Sequence, residues 1–279
     1  MELCLITNND ALARESEAAG IDRILVDLER LGKAKRQAGQ GLFLSQHQPE
    51  DVAHLSAILY RARMMVRINP VHSKTRQEIE KCLRDGAQVI MLPMFRDAVE
   101  VAEFVRLIRG RAETSLLLET KEAVGRIGSI VRVGGVDEIH IGLNDLRLSL
   151  GLDVIFEPLC SGLLDFLSKT IRSAGIRFGF GGIARLRQSD LPISPRRVIA
   201  EQVRLGASVA LLGRSFRQEF EQPHAPGELA REVRLIRATI EQWRQATPVQ
   251  RDRNRRILAG EVEKWRTQTI ANRRRSRER

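Results

Sequence analysis

Cysteine is scarce in this chain, with three copies among 279 residues. Cys4, Cys82 and Cys160 are odd in number and lie far apart, so they fit neither a disulfide framework nor a zinc cluster. We therefore expect these three residues to be small members of the core.

Long apolar runs are also missing, since none approaches the roughly 20 residues that a membrane-spanning helix needs. The first residues, MELCLITNNDALARE, contain no basic stretch that leads into a long apolar segment. We expect a soluble cytoplasmic protein with no membrane partner.

The positive charge is concentrated at one end of the chain. The formal net charge is +11, and residues 251–279 carry eleven Lys or Arg against four Asp or Glu. Arg-rich ends can contact nucleic acid or acidic surfaces. Because no aromatic residues are interleaved among the arginines of the last stretch, NRRRSRER, and no binding motif is present, we favour a solvated tail and do not expect nucleic acid as a partner.

Eight short apolar runs recur along the chain, and helix-length segments with spaced apolar positions separate most of them. The runs lie at residues 3–6, 24–26, 64–68, 89–92, 116–118, 139–141, 178–180 and 209–212. Strands that alternate with helices predict the α/β class with a parallel sheet, and eight units predict a closed (β/α)₈ TIM barrel. The alternative is an open doubly wound sheet, but its glycine fingerprint is absent from the first helix.

The barrel pattern ends before the prolines at positions 223 and 226. We assign a barrel to residues 1–222, a C-terminal helical extension to 223–270 and a basic tail, expected to be disordered, to 271–279. One helical stripe of the extension should pack on the barrel or on a neighbouring subunit; it consists of Leu229, Val233, Ile236, Ile240 and Trp243. Residues 31–48 are expected to form an insertion over the site.

Acidic residues follow several apolar runs, at the strand ends where barrel enzymes carry their active sites. Glu119 follows the fifth run and Asp145 the sixth. An acid at the end of a buried strand is costly to desolvate unless a charge meets it there. Two such acids on consecutive strands suggest a cation between them.

Five motifs in order resemble those of the HpcH/HpaI aldolase and citrate lyase beta-subunit family. They are DLE after the second run, VRINP at the third, DGAQVIMLPM at the fourth, LLET at the fifth and IGLNDLRLSLG at the sixth. The resemblance implies a pyruvate/phosphoenolpyruvate-type barrel in which Glu119 and Asp145 bind a divalent cation, Mg²⁺ or Mn²⁺. It also implies that Arg67 contacts substrate oxygens and that Asp27 and Glu29 belong to the polar bottom of the site. The protein would be a homo-oligomer, a trimer or hexamer.

The residue chemistry agrees with those implied roles. Hard divalent cations take oxygen ligands, and such a cation polarises a ketone and stabilises the enolate that forms when a carbon–carbon bond breaks. The planar guanidinium of Arg67 suits a carboxylate in two-point contact. The backbone N–H groups around Gly142, Leu143 and Asn144 are expected to hold the rest of the substrate carboxylate.

A further anion site is predicted after the last two runs. Gly182 in FGFGGIAR would let the backbone approach a ligand, and Arg214 in GRSF would supply a charge. Loops at these positions of such barrels often hold phosphate. The alternative is that the glycines only permit tight turns.

Two positions depart from the family pattern. Aldolases of this group typically have His directly after the DxE acid and Gln two residues before the metal-binding Glu, where this chain has Arg30 and Leu117. His47 is the best substitute for the missing base, and His72 is second. A water on the cation is the alternative base.

Each assignment also has a structural alternative. Glu119 would then be a structural acid paired to Arg67 without a metal, and Asp145 would cap the short helix DLRLSLG. Arg67 would only neutralise Asp27 or Glu29. One of those two acids would be a salt-bridge partner alone.

The sequence therefore predicts a divalent-metal-dependent aldolase or carbon–carbon lyase that acts on a small hydroxy-oxo acid through a pyruvate-like enolate. An acyl-CoA lyase of the citrate or malyl-CoA type is the alternative enzyme. The other class is an inactive barrel that serves as a binding or assembly protein, which Arg30 and Leu117 favour. The retention of Glu119, Asp145 and Arg67 argues against that class.

Overall fold

The structure is a computed structural model, and it describes residues 1–33, 46–188 and 190–277. Eight parallel strands close into a barrel in chain order, with β8 pairing back to β1. The strands are β1 (Glu2–Ile6), β2 (Arg23–Asp27), β3 (Arg63–Arg67), β4 (Val89–Leu92), β5 (Glu113–Leu118), β6 (Glu138–Ile141), β7 (Arg177–Ile183) and β8 (Val209–Leu212). Each strand overlaps one of the eight apolar runs, so the predicted (β/α)₈ barrel is confirmed.

Helices surround the barrel and connect most of the strands. In the described part of the chain they are α1 (Asp10–Ala19), α2 (Glu50–Ile58), α3 (Thr75–Arg84), α4 (Ala98–Ile108), α5 (Lys121–Gly125), α6 (Ile127–Ile130), α7 (Leu143–Leu150), α8 (Glu157–Cys160), α9 (Leu163–Ser173), α10 (Pro195–Leu205), α11 (Arg214–Glu221), α12 (Glu228–Arg244) and α13 (Pro248–Arg277). Gly162 separates α8 from α9 because its φ of +81° is incompatible with a continuous right-handed helix. None of these helices is long and apolar enough to cross a bilayer.

The barrel interior is built in levels, because alternate side chains of each strand point inward. At the N-terminal end, buried Arg23 forms an ion pair with Glu2 and lies 3.2 Å from Glu113 and 3.1 Å from Glu138. An apolar level follows and contains Cys4, Leu25, Met65, Val89, Met91 and Leu117. The floor of the barrel is therefore closed, and an open site remains at the opposite end.

The three cysteines behave as expected from their spacing. Cys4 and Cys82 are buried, Cys160 is partly buried, and all three are free thiols. Burial raises the pKa of both Cys4 and Cys82 to about 12, so these thiols stay protonated.

The apolar stripe of α12 packs on the barrel of its own chain, against α1 and α10. Four of its predicted residues are buried, and Trp243 is partly buried; the four are Leu229, Val233, Ile236 and Ile240. Of the two packing partners left open by the sequence, the structure shows the barrel.

The last helix extends further than the sequence analysis expects. Helix α13 continues to Arg277, past the predicted boundary at residue 270, and residues 278–279 lie outside the described part. A disordered tail is the prediction for residues 271–279. Arg273 instead meets Asp153 at 2.7 Å, and this contact gives the final turns a partner on the barrel.

Candidate active site

A cavity of about 360 Å³ lies at the C-terminal ends of the strands. Nine residues predicted from the sequence line it: Asp27, Arg67, Glu119, Gly142, Leu143, Asn144, Asp145, Gly182 and Arg214. Glu29 and His47 are buried nearby but are not part of the lining. The barrel thus brings strand ends that are far apart in sequence to one place.

Glu119 follows β5, and its carboxylate lies between Met94 and Gly142. Its Oε1 accepts a hydrogen bond from the Met94 N–H at 3.1 Å. Met94 has a φ of +57°, a left-handed conformation that non-glycine residues rarely adopt. On the other side, a Cβ atom at Gly142 would lie 2.6 Å from Glu119 Oε2, so the carboxylate fits only because this position has no side chain.

Asp145 lies in the first turn of α7, where it also faces the cavity. The sequence left open whether this residue caps the helix. Gly142 occupies the cap position, and no side chain makes a capping hydrogen bond there. The capping alternative for Asp145 is therefore wrong.

The donor set of Glu119 and Asp145 fits a hard divalent cation, because both residues supply carboxylate oxygens. Within residues 1–33, 46–188 and 190–277, no group of three or more His, Cys, Asp or Glu side chains is arranged to hold a metal ion. A cation held here would have two protein ligands. Its remaining positions would be left to substrate oxygens and water.

Arg67 is held in a buried charge network. Asp27 accepts from its Nε at 2.8 Å and from its Nη2 at 2.7 Å, and Lys33 Nζ lies 2.7 Å from Asp27 Oδ2. Burial alone would raise the pKa of Asp27, but Arg67 and Lys33 outweigh it and hold that pKa well below its usual range. Glu29 Oε2 lies 3.5 Å from Lys33 and 3.6 Å from Arg67, so both acids of the DLE motif neutralise cations.

The cavity favours an anionic ligand for two reasons. Its cationic side chains outnumber its carboxylates. The cations are Lys33, Arg67, Arg214 and Arg217, and the carboxylates are Asp27, Glu119 and Asp145. The N–H groups of Leu143 and Asn144 begin α7, and the described part of the chain supplies neither with a hydrogen-bond partner. Free N–H groups at a helix start bind anions readily.

Gly182 has a conformational role as well as a place in the lining. Its φ is +106°, and a Cβ there would lie 2.8 Å from the Phe156 ring. The β7–β8 pairing shifts register at this point. These constraints support the view that the glycine permits a tight turn, while its backbone still borders the cavity.

The two histidines proposed as substitute bases lie outside the cavity lining. His47 Nδ1 accepts from the Asp27 N–H at 3.0 Å, and burial lowers the pKa of His47 to about 4. Arg30 donates to the backbone oxygen of His47 at 2.8 Å. His72 Nε2 lies 3.1 Å from Glu78 Oε2. The rest of the predicted insertion, residues 34–45, lies outside the described residues.

Three polar residues in the lining escaped the sequence analysis: Lys33, His140 and Arg217. His140 was hidden inside an apolar run, although strand alternation places it on the same side as Gly142. Arg217 lies one helical turn after Arg214, a spacing that could have drawn attention to it. Lys33 had no comparable signal, because its position depends on the path of a loop.

The fold and the cavity define a (β/α)₈ barrel with a charged site at the C-terminal ends of its strands. The family model for HpcH/HpaI aldolase/citrate lyase matches residues 2–155, which is more than half of the chain. The chain belongs to this family. The family comprises aldolases and citrate lyases, which supports a lyase.

Solved structures are similar to this chain over most of its length. The HpcH/HpaI aldolase from Desulfitobacterium hafniense DCB-2 is 20% identical, with a TM-score of 0.63 over 79% of this chain and 89% of that one. The citrate lyase beta subunit from M. tuberculosis complexed with oxaloacetate and magnesium is 15% identical, with a TM-score of 0.58 over 88% and 96%. The citrate synthase SbnG is 20% identical, with a TM-score of 0.59 over 86% and 93%. Among curated protein sequences, none matches this chain.

Proposed function

We propose that this protein is a divalent-metal-dependent aldolase or carbon–carbon lyase that acts on a 2-oxo or hydroxy-oxo acid. The observation that carries the proposal is that Glu119, Asp145 and Arg67 line one cavity at the C-terminal strand ends. Two hard oxygen donors beside a guanidinium suit a ligand that is both a metal chelator and an anion.

Glu119 and Asp145 would hold Mg²⁺ or Mn²⁺. The M. tuberculosis citrate lyase beta subunit is complexed with magnesium and oxaloacetate, which supports this assignment. When bound, the cation would polarise the substrate ketone and stabilise the charge of the enolate. Gly142 would keep the space beside Glu119 open, and the Met94 N–H would orient its carboxylate.

Arg67 would bind the substrate carboxylate. Asp27 engages its Nε and Nη2, and its Nη1 makes no hydrogen bond with any described residue. That nitrogen would donate to the substrate, together with the N–H groups of Leu143 and Asn144. Asp27 and Glu29 would act by orienting the guanidinium, and Arg214 and the backbone at Gly182 would meet a further acidic group.

His47 would contribute through position. Because its Nδ1 is engaged by the Asp27 N–H and its ring does not line the cavity, we assign it to holding the end of β2. A His47→Gln variant would then mainly change substrate binding. If His47 were the catalytic base, the His47→Gln variant would instead change kcat and its pH profile.

The test is calorimetry on metal-stripped protein, titrated with Mn²⁺ and then with pyruvate or oxalate. We expect Mn²⁺ binding, Mn²⁺-dependent binding of the oxo acid, and loss of both in Glu119→Gln and Asp145→Asn. Asp252→Asn is the matched control, because Asp252 is exposed on α13 and pairs with Arg256. Absence of Mn²⁺ binding in the parent protein would refute the proposal.

Substrate screening would separate the remaining alternatives. Cleavage of hydroxy-oxo acids would support the aldolase, and cleavage of malyl- or citramalyl-CoA would support the thioester lyase. Binding without turnover of either class would favour a barrel that serves as a binding protein. We also propose a homo-oligomer, a trimer or hexamer, which light scattering would measure.

A further inference from the structure

His140 is a buried polar residue of the cavity that the proposed function does not use. It lies on β6, two residues before Gly142, and its side chain lines the cavity although the residue is 3% exposed. Its Nε2 is buried and has no hydrogen-bond partner in the part of the chain that the structure describes. Buried polar atoms are rarely left in this state, so this nitrogen needs an explanation.

Two glycines of the neighbouring strand β7 leave room for the His140 imidazole. β7 places Gly179 and Gly181 on its inward face, and Gly179 pairs with His140. A Cβ at Gly179 would lie 2.3 Å from the Val209 carbonyl oxygen and 3.1 Å from His140 Nδ1. A Cβ at Gly181 would lie 3.9 Å from His140 Nε2, and Gly181 itself lines the cavity. Nε2 is therefore the ring nitrogen beside a residue of the cavity wall.

The ring stays neutral inside the barrel. Burial lowers the pKa of His140 to about 3, and the positive charges of Arg23 and Arg67 contribute in the same direction. A neutral imidazole is a weak base, but it donates one hydrogen bond and accepts another. An uncharged hydroxyl or carbonyl oxygen can bond to such a nitrogen without bringing a further charge into the buried interior.

His140 also lies deeper than the residues that would hold the substrate carboxylate and the cation. It pairs with Leu117, and both lie two residues before the level of Gly142 and Glu119. Two residues of a strand correspond to roughly 7 Å, which exceeds the length of pyruvate. A longer acid is needed to reach from one level to the other.

We propose that His140 is a substrate-contacting residue whose Nε2 hydrogen-bonds an uncharged hydroxyl or carbonyl oxygen on the distal part of the substrate. This inference rests on the proposed function and adds substrate specificity to it. The substrate class is then a 2-oxo acid that carries a distal, uncharged oxygen. The floor of the cavity selects for that oxygen, and the upper level binds the 2-oxo acid group.

The test compares two acids that differ in one hydroxyl, 4-hydroxy-2-oxopentanoate and 2-oxopentanoate, on the Mn²⁺-loaded protein. Dissociation constants are measured by calorimetry, and KM and kcat/KM replace them where the hydroxy acid is turned over. The parent protein should prefer the hydroxy acid by about tenfold, as expected for one buried hydrogen bond. His140→Leu should abolish this preference by weakening the binding of the hydroxy acid.

Stability and spectroscopy separate contact from mere packing. Because leucine removes an unpartnered buried nitrogen, His140→Leu should keep or raise Tm, whereas a structural role predicts a lower Tm. On the protein loaded with diamagnetic Mg²⁺ in place of Mn²⁺, the ¹⁵N signal of His140 Nε2, identified by its absence in His140→Gln, should shift when the hydroxy acid is added. His54→Gln is the control, since His54 is exposed on α2 and pairs with Asp10.

The outcomes distinguish the two proposals. If the Mn²⁺-loaded protein binds pyruvate but His140→Leu keeps the full preference for the hydroxy acid, the role of His140 is refuted and the lyase proposal stands. An unchanged ¹⁵N signal in the parent protein leads to the same conclusion without any variant. If pyruvate does not bind, both proposals fail.

Discussion

A Gly142→Ala substitution tests whether the Glu119 carboxylate is held for a ligand. The φ of Gly142 is −82°, which any residue adopts, so the new methyl group is the source of any effect. Its carbon would lie 2.6 Å from Oε2 and 3.0 Å from Cβ of Glu119. Leu117 Cγ is also close, at 3.2 Å, so the side chain of Glu119 must move.

Two magnitudes follow from this displacement. Overpacking of a buried site lowers the free energy of unfolding by about 1–3 kcal/mol. Loss of the correct position of one of only two protein ligands should weaken Mn²⁺ binding by about 10–100-fold, the range seen when ligand orientation is disturbed. The effect on Mn²⁺ binding should therefore exceed what loss of folded protein explains.

Urea unfolding measures the first quantity, and calorimetric titration with Mn²⁺ measures the second. Gly260→Ala is the matched control, because Gly260 lies in α13 and a Cβ there would meet no atom within 4 Å. Alanine should stabilise that helix by about 0.5–1 kcal/mol and leave Mn²⁺ binding unchanged.

The role of Glu119 as a ligand is refuted if Gly142→Ala loses stability as expected and yet binds Mn²⁺ with the parent affinity. Glu119 Oε2 would then not be a ligand, and Glu119 would be the structural partner of Arg67. If the stability is also unchanged, the close approach of Gly142 to Glu119 is itself wrong.

Three further predictions concern stability. Asp27→Asn should lower the free energy of unfolding at pH 7 by about 3–5 kcal/mol, because buried Arg67 and Lys33 lose the closer of their two counter-charges and keep only Glu29; a loss under about 1 kcal/mol in urea unfolding would contradict this role of Asp27. The pKa of His140 is about 3 in the folded protein against 6.5 ordinarily, so the unfolded chain binds the proton first as pH falls. Protonation of this residue in the unfolded chain therefore lowers the free energy of unfolding as the pH falls from about 6.5 toward 3, by about 2 kcal/mol at pH 5. His140→Leu should remove this loss. Equal pH slopes in parent and variant would count against neutral burial. Ile236→Ala should lower the free energy of unfolding by about 2–4 kcal/mol, because Ile236 is fully buried on the face of α12 that packs on the barrel. Val249→Ala should change this free energy little, because Val249 is exposed. Similar effects of the two would show that α12 does not pack on the barrel.

The barrel was predictable because its strands are covered on both faces. Strands of this kind appear as short continuous apolar runs, and the turns between them are polar. The rule that active sites lie at the C-terminal strand ends then pointed to Arg67, Glu119 and Asp145 before any contact was known. All three line the same cavity in the structure.

The candidate site was less predictable where single positions matter. His140 lies between Ile139 and Ile141 in an apolar run, so the composition of the run hides a polar residue that strand alternation turns inward. Lys33 reaches Asp27 at 2.7 Å through the path of a loop, which no periodicity describes. His47, the proposed base, accepts a hydrogen bond from the Asp27 backbone N–H, a contact that suggests a positioning role.

Local chemistry along the chain determined the number of strands, the acids that follow them and the apolar stripe of α12, because burial and helix periodicity act on neighbouring residues. Tertiary structure alone decided which residues meet. Asp27 contacts both Arg67 and Lys33, Glu119 lies beside Gly142, and His140 lies beside Gly181. Those contacts depend on strand register and barrel closure. Both are set by the packing of the whole chain, so no single segment specifies them.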